Sequence, residues 1–334
     1  MGKIAVIGAG SWGTTLADLL SKKDHEVMLW MHEKDRVEEI RQTRINRLYL
    51  PDIRLSSRLQ FTGSLEEAVS GKEFILFVTP SQVMRGVLLK ALPHIASDTF
   101  IINASKGIEL DTLQTISQIF KETLPPHLFK NYCVISGPTF AKEVAQEMPT
   151  AIVAAAAEDE TSRQIQETFS TQYFRVYTNS DIIGVELGGS IKNVISIAAG
   201  ICDGLGLGYN TRAALITRGL AEIARLGMAM GAQPATFAGL AGMGDLVLTC
   251  TGDLSRNRTV GMKLGEGIRL KEILAEMCMV AEGVKTTKSA YELAKRLNVD
   301  MPITEKVYQI LYEDKSPRKS VMELMARDLK SEEM

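Results

Sequence analysis

The stretch KIAVIGAGSWGTTLADLL, residues 3–20, decides the fold of the N-terminal half. Lys3–Ile7 is a short apolar, β-branched run, and Thr14–Leu20 carries apolar residues at helical spacing. Between them lies Gly8-Ala9-Gly10-Ser11-Trp12-Gly13, a G-x-G-x-x-G sequence. The pattern is weak alone, but a strand before it and a helix after it give it a mechanism. The first glycine permits the tight turn, the second lets backbone approach a pyrophosphate, and the third lets helix and strand pack closely. The helix N-terminus then faces the anion. Gly8, Gly10, Ser11, Trp12 and Gly13 are therefore candidate cofactor-binding residues.

Such a loop is normally followed, about 20 residues on, by a carboxylate at the end of the second strand that holds the ribose 2′-hydroxyl of NAD. Here that strand, Glu26–Met31, ends in His32, with Glu33, Lys34 and Arg36 after it. An imidazole among cations accepts a 2′-phosphate better than a carboxylate does. The expected cofactor is NADPH/NADP, with NADH/NAD also usable because Glu33 is adjacent. A surface side chain at a strand end is the plainer reading of His32.

Working outward, the first half alternates β-branched runs with helical patterns, as βαβ units do. Expected strands are Lys3–Gly8, Glu26–Met31, Glu73–Val78, Thr99–Ala104, Tyr132–Ser136, Thr150–Ala156 and Phe174–Thr178. Expected helices between them include Thr14–Lys23, Ser81–Ala91, Leu113–Glu122 and Thr161–Thr171. After Thr178 the strand pattern stops and helical patterns run to the C-terminus. The expected fold is an α/β Rossmann-type N-terminal domain with a mainly parallel sheet, residues 1–180, plus an all-α C-terminal domain, residues 181–334. The first would bind the dinucleotide and the second the substrate.

Composition narrows the function. Lys plus Arg number 38 against 40 Asp plus Glu, so no global charge invites nucleic acid or an anionic membrane. The longest uncharged stretch, Leu226 to Gly244, holds Pro234 and several glycines and does not suit a spanning helix. Neither stable membrane insertion nor a signal peptide is expected, and the localisation is cytoplasmic. Cys133, Cys202, Cys250 and Cys278 show no C-x-x-C pair, and His25, His32, His94 and His127 are dispersed. Reduced thiols and no metal site are expected.

Hydride transfer to or from a carbinol needs a group that exchanges the hydroxyl proton. No histidine sits in a convincing motif. A lysine can serve where burial or a second cation eases its deprotonation. Lys192 lies in Gly188-Gly189-Ser190-Ile191-Lys192-Asn193-Val194-Ile195, among small and apolar neighbours; a lysine snorkelling from a helix flank would look the same. Lys106 follows the strand Thr99–Ala104, at the carboxyl end where open α/β sheets bind ligands, although an exposed loop cation is the alternative. Ser136-Gly137-Pro138-Thr139 ends a later strand similarly. Gly242-Met243-Gly244-Asp245 places a carboxylate after a glycine pair, where it could approach a ligand or orient Lys192; a turn or N-cap Asp is the commoner reading. Ser255-Arg256-Asn257-Arg258 is expected in a short loop, where arginine's fork suits phosphate oxygens and a solvated basic turn would look alike. Gly204-Leu205-Gly206-Leu207-Gly208 lies between helices and is expected to be an inter-helix turn.

Taken together, these motifs resemble the soluble, biosynthetic NAD(P)-dependent glycerol-3-phosphate dehydrogenases of bacteria, and the resemblance spans essentially the whole chain. It runs through Gly8–Gly13, Ser105-Lys106-Gly107, Ser136–Ala141, Lys192-Asn193, the stretch from Gly206 to Leu215, Gly242–Leu246 and Ser255–Asn257, and ends near Val280–Gly283. It implies reversible reduction of dihydroxyacetone phosphate to sn-glycerol 3-phosphate, feeding phospholipid synthesis. It implies Lys192 as acid/base on the C2 oxygen, with Lys106 and Asp245 beside it. Ser255, Arg256 and Asn257 would take the phosphate, with Gly137 and Thr139 also lining the substrate site. Ser11, Trp12, His32, Lys106, Ala141, Arg256, Val280 and Glu282 match cofactor contacts. The expected partner is a small phosphorylated substrate, and an apolar helical second half is compatible with a homodimer. Two competing readings remain: a 3-hydroxyacid or ketopantoate-type dehydrogenase, and an NADPH-binding module without catalysis.

Overall fold

The computed structural model describes residues 2–277, 281–329, 331 and 332. The chain divides into two compact units, one formed by residues 1–106 and 115–186, the other by 107–114 and 187–334.

The first unit is built on eight strands: β1 (Lys3–Ile7), β2 (Glu26–Trp30), β3 (Gln60–Thr62), β4 (Phe74–Phe77), β5 (Phe100–Asn103), β6 (Tyr132–Ser136), β7 (Thr150–Ala156) and β8 (Phe174–Asn179). They form one sheet in the order β3-β2-β1-β4-β5-β6-β7-β8. Every neighbouring pair is parallel except β6 and β7. Strands β4 and β6 are buried at every residue, as expected where both faces of a parallel sheet are covered, and their sequences are accordingly continuous apolar runs rather than alternating ones. The order reverses at β1, where Ile7 lies in register with Trp30 of β2 on one side and Phe77 of β4 on the other. At such a switch point a crevice opens beyond the carboxyl ends of the strands, and Gly8 begins there.

The sequence patterns anticipate seven of these strands. Strand β3 escapes them because it has three residues, too few for any period to register. The helix expected from Leu113 starts instead at Ile116. Leu113 adopts left-handed backbone, φ 58°, and Thr115 with Gln118 closes a capping box that fixes the true start.

The second unit is helical. Its central helix, Ile182–Gly204, is long and apolar enough to cross a membrane, but 89% of its most apolar stretch is buried within the protein. That apolarity belongs to a core helix. Against it packs the helix Arg256–Gly265, whose first turn was expected to be loop. The contact is backbone to backbone. A Cβ on Gly200 would lie 2.0 Å from the Arg258 carbonyl oxygen, and one on Gly261 2.0 Å from that of Ile197. Only glycine permits this approach. The segment Gly107–Gln114 is tied into the same unit: the Gly107 N–H donates to Ser190 Oγ at 2.8 Å, and Ser289 Oγ donates to the Ile108 carbonyl at 3.0 Å.

Candidate active site

Each unit brings together part of the expected residue set. In the first unit the Gly8–Gly13 loop joins β1 to the helix Ser11–Lys22. Gly8 sits at φ 119°, and a Cβ there would lie 2.7 Å from the Val78 carbonyl oxygen. A Cβ on Gly13 would lie 1.9 Å from the Gly8 oxygen, so the third glycine is fixed by contact between helix and loop. Around Gly10 nothing approaches within 4 Å of a Cβ position, leaving that face open. The first intrahelical bond runs from Thr14 N–H to Gly10 oxygen at 2.9 Å. The N–H groups of Ser11, Trp12 and Gly13 precede it, at the positive end of the helix dipole. An open glycine face backed by these donors fits a dinucleotide pyrophosphate.

Asn46, fully buried, holds this loop from behind. Its Nδ2 donates to the Ala9 carbonyl and to Thr14 Oγ1, both at 2.9 Å, while its Oδ1 accepts from Arg36 Nη2 at 3.2 Å. Ser11 Oγ donates to the Tyr49 carbonyl at 2.6 Å. The sequence gives no signal for Asn46 beyond a polar residue between two arginine-rich turns. His32 is exposed just past β2, 6.0 Å from the Trp30 ring between centroids. The neighbouring Glu33 accepts a hydrogen bond from Tyr49 Oη at 3.2 Å, and the Arg36 guanidinium lies over the Tyr49 ring. Trp12 packs toward Phe174, with ring centroids 6.5 Å apart.

The carboxyl ends of β4, β5 and β6 are linked in the same unit. Ser105 Oγ donates to the Thr79 carbonyl at 2.6 Å, and Asn103 Oδ1 accepts from the Ser105 N–H. These bonds aim the chain so that Lys106 Nζ reaches the Gly137 carbonyl at 3.4 Å. Thr139 Oγ1 donates to the same carbonyl at 3.2 Å. A Cβ on Gly137 would meet Ile152 Cα at 2.9 Å. Ala141 opens the next short helix, and its carbonyl accepts from Thr15 Oγ1 at 3.1 Å, which ties it to the dinucleotide helix. Lys106, Gly137, Thr139 and Ala141 thus share one end of the sheet.

In the second unit Lys192 is 6% exposed and Asp245 is fully buried. Lys192 Nζ donates to Asp245 Oδ1 and, at 2.7 Å, to Thr249 Oγ1. A lysine held this way is not snorkelling. Asp245 is delivered by a wide turn, Leu240–Gly244, running directly into the helix Asp245–Thr251. Gly242 does not open a path for a ligand: a Cβ there would lie 2.2 Å from the Phe237 carbonyl oxygen, so this glycine serves the fold of its own turn. Thr249, one helical turn beyond Asp245, is a contact that the motifs alone do not announce.

Ser255 is the N-cap of the helix Arg256–Gly265, with its Oγ accepting from the Arg258 N–H at 3.3 Å. The expected short loop is therefore a capped helix start, which presents backbone N–H groups as well as side chains. Asn257 Oδ1 accepts from the Gly283 N–H at 3.0 Å, so its amide group is the donating end. Arg256 is exposed, whereas Arg258 is turned inward and paired with Asp203 at 2.8 Å. Glu282 opens the helix Glu282–Arg296 and is half-buried. Val280 lies outside the described residues.

Among the described residues the cysteines Cys133, Cys202 and Cys250 take no part, and Cys278 lies outside the described residues. Burial pushes the Cys202 thiol up to about 11 and Cys250 up to about 12, and it raises Cys133 further, so none is a thiolate at neutral pH. Among the described residues no group of three or more His, Cys, Asp or Glu side chains is arranged to hold a metal ion.

Comparison with known proteins agrees along the whole chain. The family described as NAD-dependent glycerol-3-phosphate dehydrogenase matches through its N-terminal part over residues 3–162 and its C-terminal part over residues 181–322. The glycerol-3-phosphate dehydrogenase [NAD(P)+] of Geobacter metallireducens is 66% identical over 330 residues, 99% of this chain and 98% of its own. That of Geobacter sulfurreducens is 64% identical over the same shares of both chains. The crystal structure of the glycerol-3-phosphate dehydrogenase from Coxiella burnetii superposes with a TM-score of 0.93 at 41% identity, covering 98% of this chain and 99% of that one. A ketopantoate reductase from Ralstonia eutropha shares the fold alone, at a TM-score of 0.59 and 14% identity. The chain belongs to the NAD-dependent glycerol-3-phosphate dehydrogenase family.

Proposed function

We propose that this protein catalyses the NAD(P)-dependent interconversion of dihydroxyacetone phosphate and sn-glycerol 3-phosphate, running as a reductase that supplies phospholipid synthesis. The observation that carries this is the buried Lys192 ammonium, held by Asp245 and Thr249. Removing a charge from water is costly unless it is paired, and a paired buried lysine is a poor choice for stability alone. It is a good choice for delivering a proton.

In this reading residues 1–180 are the dinucleotide-binding domain and 181–334 the substrate domain, with the segment Gly107–Gln114 packed into the helical unit and residues 181–186 into the first. When bound, the nicotinamide supplies the hydride that reaches C2. Lys192 donates its proton to the C2 oxygen and recovers one from solvent; in the reverse direction it accepts that proton. Asp245 and Thr249 fix the direction of Lys192 Nζ. Lys106 stabilises the negative charge that develops on the oxygen. Ser255, Arg256 and Asn257 hold the phosphate, and Gly137 and Thr139 line the substrate. Gly8, Gly10, Ser11, Trp12, Gly13, His32, Ala141, Arg256, Val280 and Glu282 contact the cofactor. With Glu33 engaged by Tyr49, exposed His32 and Lys34 suit a 2′-phosphate, so NADPH is the preferred reductant and NADH a usable one.

Buried free thiols suit the reducing cytoplasm. The exposed Met228, Val247 and Leu254 on the helical unit suit a homodimer. The test is NADPH oxidation with dihydroxyacetone phosphate against ketopantoate as the carboxylate competitor. Turnover confined to the phosphate ester is expected; turnover confined to the carboxylate overturns the assignment.

A further inference from the structure

Ser196 lies one helical turn after Lys192 on the helix Ile182–Gly204 and is fully buried. Its Oγ donates to the Thr249 carbonyl at 2.9 Å and lies 3.0 Å from Ser255 Oγ. Three helices meet at this single hydroxyl. The Thr249 carbonyl belongs to the last turn of the helix Asp245–Thr251, where carbonyls lack intrahelical donors. Ser255 is the N-cap of the helix Arg256–Gly265. The backbone contact of Gly200 and Gly261, one turn further along, is what brings the two helices close enough for a serine to span them.

We infer that Ser196 is a positioning residue for phosphate recognition, acting through Ser255. This rests on the reading that Ser255 binds the substrate phosphate. The hydroxyl protons available at this junction decide how Ser255 can meet a phosphate. A phosphate presents mainly acceptors, so Ser255 must point its one O–H at it. The Ser255 oxygen already accepts from the Arg258 N–H at 3.3 Å. Ser196 gives its one proton to the Thr249 carbonyl, so without phosphate the Ser255 O–H donates to Ser196 Oγ; once phosphate takes the Ser255 O–H, Ser196 turns its proton to the Ser255 oxygen and holds it in place. An apolar residue here would leave the Ser255 hydroxyl without that fixed partner and the Thr249 carbonyl without its donor. The same helix that carries the proton donor, Lys192, would thereby also register the phosphate end, at a spacing of four residues.

The experiment is Ser196→Ala, alone and combined with Ser255→Ala. Steady-state kinetics with dihydroxyacetone phosphate are read alongside calorimetric binding of inorganic phosphate. Loss of one neutral hydrogen bond predicts a rise of about fivefold in KM and in the phosphate Kd, with kcat changed less than twofold. Ser196→Thr, which keeps the hydroxyl, should restore phosphate affinity. In the Ser255→Ala background the Ser196→Ala effect should vanish, an outcome that a general loosening of the core does not produce. Unchanged KM and phosphate Kd, or an equal effect with and without Ser255, overturn the inference. A wild-type protein that binds phosphate but does not turn over dihydroxyacetone phosphate overturns the proposed reaction while leaving the Ser196 test readable. A wild type that does neither overturns both.

Discussion

Lys192 Nζ and Asp245 Oδ1 form an ion pair inside the helical unit, with Asp245 fully buried and Thr249 Oγ1 as the second acceptor on the same ammonium. Asp245 accepts from a partner whose proton the reaction moves, so its charge and its geometry both bear on turnover. Asp245→Asn keeps the shape and removes the charge. The expected result is a fall in kcat on the order of 10²-fold, with KM for the substrate changed far less, because the loss is felt where charge moves. Steady-state kinetics check it, with thermal unfolding as the control for the cost of disturbing a buried pair.

Gly13 tests the dinucleotide loop with one carbon atom. A Cβ placed there would lie 1.9 Å from the Gly8 carbonyl oxygen, which is backbone and cannot swing away. Gly13→Ala should therefore shift the helix Ser11–Lys22 off the loop and weaken NADPH binding at least tenfold, while inorganic phosphate binding by the helical unit is unchanged. Cofactor titration by fluorescence measures the first and calorimetry the second.

Asn46 supports the same loop without a place in the motif. Asn46→Ala strips a donor from the Ala9 carbonyl and from Thr14 Oγ1 and an acceptor from Arg36. Buried polar groups left without partners cost about 1–3 kcal/mol each. The expected outcome is a drop in Tm of several degrees together with a raised KM for NADPH, and kcat at saturating cofactor largely preserved.

Glu222 makes the stability of the helical unit depend on pH. Its carboxylate accepts from the Ile303 N–H at 2.6 Å and from the Thr304 N–H and Oγ1 at 3.1 and 3.0 Å, capping the helix Pro302–Tyr312. Burial outweighs these donors and pushes the carboxyl up to about 7. The folded value lies above the unfolded one near 4.5, so the folded state retains a proton that the unfolded chain releases. The contribution of this group to stability is fully present below about pH 4.5, declines as pH rises toward 7, and is flat beyond. Glu222→Gln should shrink the Tm difference between pH 5 and pH 8; an unchanged difference contradicts the assignment.

The inner strands were legible as continuous apolar runs, as in β4 and β6, which are buried at every residue, whereas β8 at the sheet edge was legible from its alternation of buried and exposed positions. Strand β3 was not, since Gln60–Thr62 at the sheet edge is shorter than any period. The helix Arg256–Gly265 was hidden by its composition: Gly261 and Gly265 are poor helix formers locally and are there to let two backbones touch, a need that arises only in the tertiary structure. Among site residues, Gly8, Gly10 and Gly13 could be read from mechanism. Lys192 and Asp245, 53 positions apart, could not be paired by spacing. Thr249 and Ser196 each sit four residues beyond a residue already singled out, a helical offset that points to them only once both segments are known to be helices. Asn46 reaches the loop from a turn with no periodic signature.

The central claim is that Lys192 moves the proton, and the most direct measurement is the single-turnover rate of NADPH oxidation by Lys192→Ala with saturating dihydroxyacetone phosphate. The account predicts a fall on the order of 10²–10⁴-fold, with the Kd for NADPH within twofold of wild type. A variant that binds NADPH normally and oxidises it at near wild-type rate contradicts the account.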